Sequence, residues 1–466
     1  MKYRNNQIQD LKIAYIGGGS RGWAWTFMVD LALEKDLCGE IRLYDIDAEA
    51  AKCNEIIGNQ ISSQEGAFSK WKYKTANTYE EALKGADFVI ISILPGNFDM
   101  MEVDVHTPEK LGIYQSVGDT SGPGGNIRAL RTIPMFVEFA QKIKEYCPDA
   151  WIINYTNPMS LCVKTLYEVF PEIKAFGCCH EVFGTKEVLK VIVEKKLGIT
   201  GVNRRDIVVN VLGINHFTWF DEASYKGIDL MPMYKEYILE HYEEGLETES
   251  EHWMNSSFTC AHRVKFDLFL RYGFIAAAGD RHLVEFLPQS EYLKDADTIA
   301  SWKYRLTTVE WRKNDLKERL ARSERLVEGK ETMELKPSGE EGILLIKALC
   351  GLERCVSNVN MPNTALQIPN LEKNAIVETN AIFEKDHIRP IYAGPLPNEL
   401  APLIYPHIEN HERIYKAATT YDIDLLVEAF AHDPLLEHRF TNEELRNLCK
   451  EMVNGTKAYL PPQWNN

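Results

Sequence analysis

The sequence lacks the features that would place it in a membrane, outside the cell or on nucleic acid. No apolar run reaches the roughly eighteen residues of a membrane span, and Met1–Leu11 has no apolar signal-peptide core. Lys and Arg number 52 against 68 Asp and Glu, a formal net charge of −16, which argues against binding to phosphate backbones. We therefore expect a cytoplasmic protein that binds neither nucleic acid nor membranes.

Regular cysteine spacing, internal repeats and low-complexity tracts are also missing. The ten cysteines follow no disulfide framework, so we expect reduced thiols. What is present is ordinary globular composition, with 45% hydrophobic and 26% charged residues. A chain of 466 residues exceeds what one hydrophobic core usually fills, which predicts two or three subdomains.

Short apolar runs alternate with stretches of helical periodicity in the first half of the chain. This alternation predicts βαβ units that build a parallel sheet. Further on, Phe217–Tyr225 with the turn at Lys226-Gly227 predicts an antiparallel hairpin, and the mixed charges of Ser301–Val327 predict a helix with a solvated face. The predicted strands of the parallel sheet are Leu11–Ile16, Glu40–Tyr44, Asp87–Leu94, Trp151–Asn154 and Ile173–Cys178.

A dinucleotide-binding fingerprint follows the first predicted strand. The spacing Gly17-x-Gly19-x-x-Gly22 provides a tight turn, close approach to a pyrophosphate, and close packing of a helix on the strand. Asp45 ends the next predicted strand, where a carboxylate binds ribose hydroxyls and disfavours a 2′-phosphate. We therefore predict that Gly17, Gly19, Ser20, Gly22 and Asp45 bind NAD; the alternative is a glycine turn without a ligand.

The predicted fold is α/β. We expect a Rossmann-type NAD-binding domain with a parallel sheet over 8–213, and an α+β domain for substrate binding and oligomerisation over 214–466. The active site is expected at the interface between them, because ligands of open α/β folds bind at the carboxyl edge of the sheet.

Two segments near this edge have both a functional and a structural interpretation. Asn157, in Asn154-Tyr155-Thr156-Asn157-Pro158, either contacts substrate or is part of a plain strand-to-helix turn. The glycine-rich segment Gly118–Gly125, before a helix predicted from Asn126, is either a mobile active-site loop or a surface loop.

A cysteine and a histidine each follow a predicted strand. Cys179 follows Ile173–Cys178, and His216 follows Asp206–Gly213. If both strand ends face one cleft, the two side chains can bind a metal and leave positions open for a ligand. A lone Cys and a lone His are more often packed core residues, and local spacing does not decide between the two interpretations.

Together these motifs resemble a known family, the NAD- and divalent-metal-dependent glycoside hydrolases of glycosidase family four. The resemblance implies a fold like that of lactate and malate dehydrogenases and a homodimer or homotetramer. Beyond Glu285 the chain matches the family only in its length and in its general pattern of residue types. The motifs that carry the likeness are Gly17–Gly22, Asp119–Gly125, Asn154–Pro158, Cys179–Val182, Asn215–His216 and Gly279-Asp280-Arg281.

The resemblance also implies roles for individual residues. Cys179 and His216 would bind Mn²⁺, and Asn157 would contact substrate. Tyr272 would be the base, with Asp280 as a competing candidate. Some relatives place Asp directly after the metal cysteine as the proposed acid, whereas this chain has His180 there, which leaves His180 as a catalytic and substrate-binding candidate.

Chemistry of this kind departs from the two-carboxylate glycosidase mechanism. Transient oxidation of the sugar at C3 by NAD makes the C2 proton acidic, and a metal that chelates O2 and O3 stabilises the resulting charge. Loss of the C2 proton then expels the C1 aglycone, water adds at C1, and the hydride returns to C3.

The form Cys179-His180-Glu181-Val182 resembles the α-galacturonidase branch of the family. It implies α-linked galacturonic acid ends, as in pectin-type oligosaccharides, as substrate. Arg281 would grip the C6 carboxylate bidentately, unless it forms an ion pair with Asp280 or Glu285 instead. Specificity for α-galactosides or α-glucosides is the alternative within the family.

Two other functions remain as alternatives at this point. An NAD-dependent 2-hydroxyacid dehydrogenase shares the Rossmann start and the Asn-Pro element, but it needs no metal and would accumulate NADH. A non-enzymatic NAD sensor would use the cleft for regulation, and it would not need Cys179, His216 and Tyr272 together.

Overall fold

The computed structural model describes residues 1–4, 6–247 and 252–465. Short strands and longer helices alternate over the first half, as the apolar pattern predicts. The strands are β1 (Lys2–Arg4), β2 (Gln7–Ile16), β3 (Leu37–Tyr44), β4 (Trp71–Ala76), β5 (Phe88–Ile91), β6 (Trp151–Asn154), β7 (Lys174–Gly177), β8 (Ile207–Ile214), β9 (Phe217–Tyr225), β10 (Ile228–Asp229), β11 (Ile275–Ala276), β12 (Cys355–Pro362), β13 (Ile376–Glu384) and β14 (His387–Pro390).

Helices cover both faces of the main sheet and form most of the second half. Their bounds are α1 (Trp23–Leu33), α2 (Ala48–Ser63), α3 (Tyr79–Leu83), α4 (Phe98–His106), α5 (Gly122–Tyr146), α6 (Met159–Val169), α7 (Glu181–Leu197), α8 (Leu230–His241), α9 (Arg263–Tyr272), α10 (Asp280–Leu283), α11 (Gln289–Tyr292), α12 (Ala296–Ser301), α13 (Val309–Val327), α14 (Gly342–Leu349), α15 (Ala401–Thr420), α16 (Ile423–Ala431) and α17 (Asn442–Thr456).

The main sheet confirms the predicted parallel arrangement. Six strands run parallel in the order β4-β3-β2-β5-β6-β7, and β1 pairs antiparallel with β2. The order reverses on either side of β2, so this is a doubly wound, Rossmann-type sheet. Its neighbouring carboxyl ends, after β2, β3, β6 and β7, carry the segments that the sequence analysis singled out.

The second half of the chain extends this sheet. Strand β12 pairs antiparallel with β7 through Asn360 and Gly177, and β13 and β14 continue outward. A separate four-stranded sheet contains the predicted hairpin, which β9 and β10 form; β8 pairs with one edge of β9, and β10 and β11 pair with the other. The two halves therefore meet along β7, and the expected division after residue 213 lies inside β8.

Apolar side chains pack on both faces of the main sheet. Val89 and Ile152 contact the α5 side through Phe136 and Phe139, while Ile13 belongs to the core on the α1 side. A sheet buried on both faces explains why its strands are continuous apolar runs. None of the helices in the described part of the chain is long and apolar enough to cross a membrane, and all ten cysteines are free thiols.

Three sequence predictions need correction. Strand β4 was missed. The predicted helix from Asn126 begins at Gly122, so the second half of the glycine-rich segment Gly118–Gly125 is the buried first turn of α5 and not a loop. The predicted helix over Ser301–Val327 is confirmed from Val309 onward. Its face is not simply solvated, because α13 packs against α2 and α4.

Candidate active site

The glycine loop joins the end of β2 to the start of α1. The amides of Gly17 and Gly18 both donate to the carbonyl oxygen of Tyr44 at 2.9 Å. Gly17 has a φ of 91°, and a Cβ on it would lie 2.0 Å from the carbonyl oxygen of Ser92. Only glycine allows this approach, so the loop has the tight turn that the fingerprint predicted.

Asp45 follows β3 and joins the same loop. Its Oδ2 accepts a hydrogen bond from the amide of Gly19 at 2.9 Å, and its Oδ1 accepts one from the amide of Asp47 at 3.0 Å. Gly22 stands at the N-terminus of α1, directly after the turn that contains Ser20. The predicted strand–loop–helix–strand unit is therefore confirmed, and the contacts of these residues with a cofactor stay a prediction.

Three possible metal ligands meet beside this edge of the sheet, in what we call the His216 cluster: Asp119, His216 and His282. One ligand atom from each lies within 4.8 Å of the others. The imidazole rings of His216 and His282 are 3.9 Å apart between centroids. Asp119 comes from the turn before α5, His216 from the β8–β9 turn with a φ of 61°, and His282 from α10.

The hydrogen bonds of Thr120 fix the tautomer of His216. The Thr120 hydroxyl donates to Asp119 Oδ1 at 2.8 Å and lies 3.0 Å from His216 Nδ1. Because the hydroxyl has one hydrogen and the carboxylate can only accept, Nδ1–H of His216 must donate to Thr120. The lone pair of His216 is then on Nε2, where it can bind a cation.

The electrostatics of the cluster favour the forms that bind metal. Burial lowers the pKa of His216 to about 3, and the neighbouring His282 acts in the same direction. Burial alone would raise the pKa of Asp119, but the guanidinium of Arg128 and the nearby imidazoles lower it to about 2. At neutral pH the cluster therefore offers a neutral imidazole and an ionised carboxylate.

Glu181 connects the cluster to Cys179 and His180. Its Oε2 accepts a hydrogen bond from the Gly279 amide at 2.6 Å, and its Oε1 lies 3.6 Å from His282 Nε2 and 3.7 Å from His180 Nε2. Burial opposes ionisation of Glu181, yet the surrounding imidazoles keep its pKa below the usual range. His180 is half exposed and its ring also faces Trp23 at the start of α1.

Cys179 is buried at the end of β7, next to Glu181. Burial raises the pKa of its thiol well above the usual value, and the charges of Glu378 and Glu181 add to this effect. Glu378 on β13 accepts hydrogen bonds from Asn358 at 2.6 Å and from Asn215 at 3.5 Å, and Asn358 also donates to the carbonyl oxygen of Cys179 at 3.2 Å. These contacts hold the segments that carry Cys179 and His216 together, while metal binding by Cys179 stays a prediction.

Of the two predicted substrate-binding residues, Asn157 contacts Arg128, and Arg281 directly precedes His282 of the cluster. The Oδ1 atom of Asn157 is buried without a hydrogen-bond partner, and its carbonyl oxygen accepts from Arg128 Nε at 3.0 Å. Arg281 is partly buried; its guanidinium stacks over Phe258 at 4.8 Å and donates to Thr307. Arg281 makes no ion pair with Asp280 or Glu285, so the alternative structural role considered for it is not what the structure has.

The structure does not bring the two candidate bases to the cluster. Tyr272 ends α9, where its ring packs edge-on against Trp219 and its hydroxyl accepts from Arg271. Asp280 is fully buried at the opposite end of α9, where its two carboxylate oxygens accept from the amides of Val264 and Lys265 at 3.2 Å. The oxygens of Asp280 thus cap a helix N-terminus, and a base role for Asp280 stays a prediction. A base role for Tyr272 stays a prediction that this placement does not support.

Several residues of the site escaped prediction. Asp119 lies in a segment noted for its glycines, and Glu181 and His282 lie within or beside the motifs quoted for the resemblance. A search of those motifs for titratable side chains would have found all three. Arg312 lies in the charge-rich stretch that was interpreted as solvated, and no local signal distinguishes it from its charged neighbours.

The residues present fit both groups that the resemblance implies. Nδ1 of His282 is buried without a hydrogen-bond partner beside an ionised carboxylate, which suits a divalent cation. The glycine loop leaves no room for Cβ atoms and is followed by a helix N-terminus, which suits a pyrophosphate.

A doubly wound sheet with a glycine loop and a histidine–carboxylate cluster at its carboxyl edge defines an enzyme of the dinucleotide-binding α/β class. Residues 12–195 match the family 4 glycosyl hydrolases, and residues 211–436 match the C-terminal domain of that family. The chain belongs to family 4 of the glycosyl hydrolases.

Known proteins resemble this chain over its full length. An alpha-galacturonidase of Lachnoclostridium phytofermentans is 66% identical over 465 residues, which cover 100% of both chains. The crystal structure of lplD from Bacillus subtilis is similar with a TM-score of 0.91 and 50% identity, and the match covers 96% of this chain and 100% of that one. A 6-phospho-alpha-glucosidase from gut microorganisms, solved with NAD and Mn²⁺, shares the fold with a TM-score of 0.79 and 20% identity over 97% and 99% of the chains.

Proposed function

We propose that this enzyme hydrolyses α-linked galacturonides, such as the ends of pectin-type oligosaccharides. The observation that carries the proposal is the 66% identity, over the whole length of both chains, with a relative named alpha-galacturonidase. The motif Cys179-His180-Glu181-Val182, from which the same substrate was predicted, contributes Glu181 and His180 to the site.

NAD and Mn²⁺ complete the proposed enzyme. Gly17, Gly19, Ser20 and Gly22 would hold the pyrophosphate and Asp45 the ribose hydroxyls. His216 with Cys179, and Asp119 or His282, would hold the metal. When bound, NAD accepts and returns the C3 hydride, and the metal polarises the oxygens at C2 and C3.

The chain's own residues position the sugar and move the proton of the leaving group. Asn157 Oδ1, buried without a partner, accepts a hydrogen bond from a sugar hydroxyl. His180 is half exposed and its Nε2 lies 3.7 Å from Glu181 Oε1. We assign to His180 the delivery of a proton from Nε2 to the aglycone oxygen, with the Glu181 carboxylate orienting the ring.

A panel of α- and β-linked nitrophenyl glycosides and uronides tests the proposal, assayed with NAD, Mn²⁺ and a thiol. We expect the α-galacturonide to be cleaved with the highest kcat/KM. Preference for a neutral α-galactoside or α-glucoside would contradict the substrate while leaving the family assignment intact.

Absorbance at 340 nm separates this function from a 2-hydroxyacid dehydrogenase. The hydride returns within each turnover, so we expect nitrophenol release without growth at 340 nm. An increase in step with product formation would favour the dehydrogenase. Activity that survives complete removal of metal by a chelator would contradict the role of the His216 cluster.

A further inference from the structure

Three arginine side chains lie near Asp119 and Glu285. Arg128 of α5 and Arg312 of α13 act on Asp119, and Arg281 of α10 acts on Arg312 and Glu285. Against the effect of burial, the guanidinium groups of Arg128 and, more weakly, Arg312 lower the pKa of Asp119. The charges of Arg128 and Arg281 also act on Arg312. Within residues 1–4, 6–247 and 252–465, none of the three makes an ion pair with a carboxylate within 4.0 Å.

Positive charge therefore exceeds negative charge at this point of the cleft. Glu285 also lies near these groups, and burial raises its pKa to about 8, so that it is neutral at pH 7. Asp104 acts on Arg128 as well, but both of its oxygens already accept from Arg131. Among the described residues, Asp119 is then the one ionised carboxylate near the three guanidinium groups that is not already paired with a fourth arginine. In a chain with a net charge of −16, such a local surplus is unusual and favours an anionic ligand.

The three arginines differ in what their donors already do. Arg128 Nε donates to the carbonyl oxygen of Asn157 at 3.0 Å. Arg281 is held by the Phe258 ring and by Thr307. Arg312 Nε is buried and donates to none of the described residues. A buried guanidinium N–H without an acceptor is costly, and a bound carboxylate would supply the missing acceptor.

Hydrogen bonds of Thr307 and Thr308 hold the segments that carry Arg281 and Arg312. The Thr307 amide donates to the carbonyl oxygen of Ser116 at 2.8 Å, and its hydroxyl accepts from Arg281. Thr308 caps the N-terminus of α13 through the Trp311 amide, one residue before Arg312. Thr307 thus attaches the segment that leads to Asp119, and the side chain of Arg281, to the start of the helix that carries Arg312.

We propose that Arg312, assisted by Arg281, forms the subsite that receives the C6 carboxylate of the substrate sugar. The planar guanidinium fork binds the two carboxylate oxygens side by side, which a lysine ammonium cannot do. This inference rests on the proposed function, because it assigns to one residue the discrimination between galacturonides and galactosides.

The test compares Arg312→Gln and Arg312→Lys with Lys317→Gln, an exposed position of α13 that keeps the same change in formal charge as Arg312→Gln. Each enzyme, with NAD, Mn²⁺ and a thiol, is assayed on nitrophenyl α-galacturonide and nitrophenyl α-galactoside. Affinities for free D-galacturonate, D-galactose and NAD are measured by calorimetry, and folding is checked by thermal unfolding.

For Arg312→Gln we expect KM for the galacturonide and Kd for galacturonate to rise about 50-fold, with less than about a threefold change for the neutral sugars and for NAD. Arg312→Lys should lose most of this affinity as well, and Lys317→Gln should match the wild type. Equal losses on both sugars, or a loss of NAD affinity, would overturn the subsite and leave galacturonide hydrolysis standing. A wild-type enzyme that cleaves only neutral galactosides would instead contradict the proposed function, and the subsite with it.

Discussion

Among the residues that the structure describes, two clusters bring three possible metal ligands within 4.8 Å of one another, and they differ in the hydrogen bonds that their carboxylates already accept. In the His216 cluster, Asp119 accepts one hydrogen bond, from Thr120. In the second, which we call the Cys260 cluster (Cys260, His262 and Asp280), both oxygens of Asp280 accept amides of α9. The proximity of possible ligand atoms therefore does not by itself define a metal site. A site also needs ligand atoms whose lone pairs are not already used in hydrogen bonds.

The largest expected effect comes from exchanging one histidine in each cluster. His282→Ala removes a possible ligand from the His216 cluster, and we expect kcat/KM to fall by about a thousandfold or more. His262→Asn, which tolerates the positive φ of 58° at this position, should change it by less than about tenfold. Activity with added Mn²⁺ and Mn²⁺-dependent thermal stabilisation are the measurements; a comparable loss in both variants would remove the distinction between the clusters.

The capping role of Asp280 predicts a loss of stability and not of metal. Its carboxylate accepts hydrogen bonds from two helix amides and lies near the buried ammonium group of Lys265. Asp280→Ala removes the acceptor of the two amides and the negative charge near Lys265. We expect the free energy of unfolding to fall by about 3 kcal/mol. Denaturant unfolding measures this change, and Mn²⁺ titration of the folded variant should give an unchanged Kd. A selective loss of Mn²⁺ affinity at wild-type stability would show that Asp280 is a ligand.

Asp45 can be compared with Asp119 and Asp280. Each of its carboxylate oxygens accepts one hydrogen bond, but unlike Asp280 it is only partly buried. Asp45→Ala should weaken NAD about tenfold and NADP less, because the carboxylate binds the ribose diol and repels a 2′-phosphate. Fluorescence titration with both dinucleotides tests this expectation. An unchanged ratio of the two affinities would mean that the ribose is bound elsewhere.

Glu285 gives the smallest effect on activity, because its carboxyl is already neutral. Its Oε1 accepts from the amides of Val117 and Gly118, a role that a Gln oxygen can take over. Glu285→Gln should therefore keep kcat/KM at pH 7 within about threefold.

The pH dependence of stability provides a second test at Glu285. Its pKa is about 8 in the folded protein and near 4.5 unfolded, so the folded state binds more protons between these values. The wild-type free energy of unfolding should fall, relative to Glu285→Gln, as pH rises from about 5 to 8, by at most about 1.4 kcal/mol per pH unit. Parallel stability profiles of the two proteins would contradict a neutral carboxyl.

The sequence was sufficient for the strand–loop–helix–strand unit that is proposed to bind NAD, because the signals of this unit are local. Gly17 to Asp45 lie within one strand–loop–helix–strand unit, and each residue has its own steric or charge reason to be there. The strands that start at Trp151 and Lys174 also have a local signal, because the apolar runs predicted their starts to within a few residues.

The substrate side could not be predicted in the same way. Asp119, His216, His282 and Arg312 come from four elements that only the folded chain brings together. The resemblance supplied His216 directly, but the pattern around Arg271-Tyr272 does not show that α9 points Tyr272 at Trp219. Nor does a run of mixed charges show which of its arginines turns inward.

In the proposed mechanism, the glycosidic bond breaks after the C2 proton of the sugar has been removed. Hydrolysis of nitrophenyl α-galacturonide in D₂O, with NAD, Mn²⁺ and a thiol, tests it directly when the released galacturonate is examined by NMR. We expect deuterium at C2 of the product, because the proton that returns comes from solvent. Complete hydrolysis with only hydrogen at C2 would contradict it and would point to direct displacement at C1.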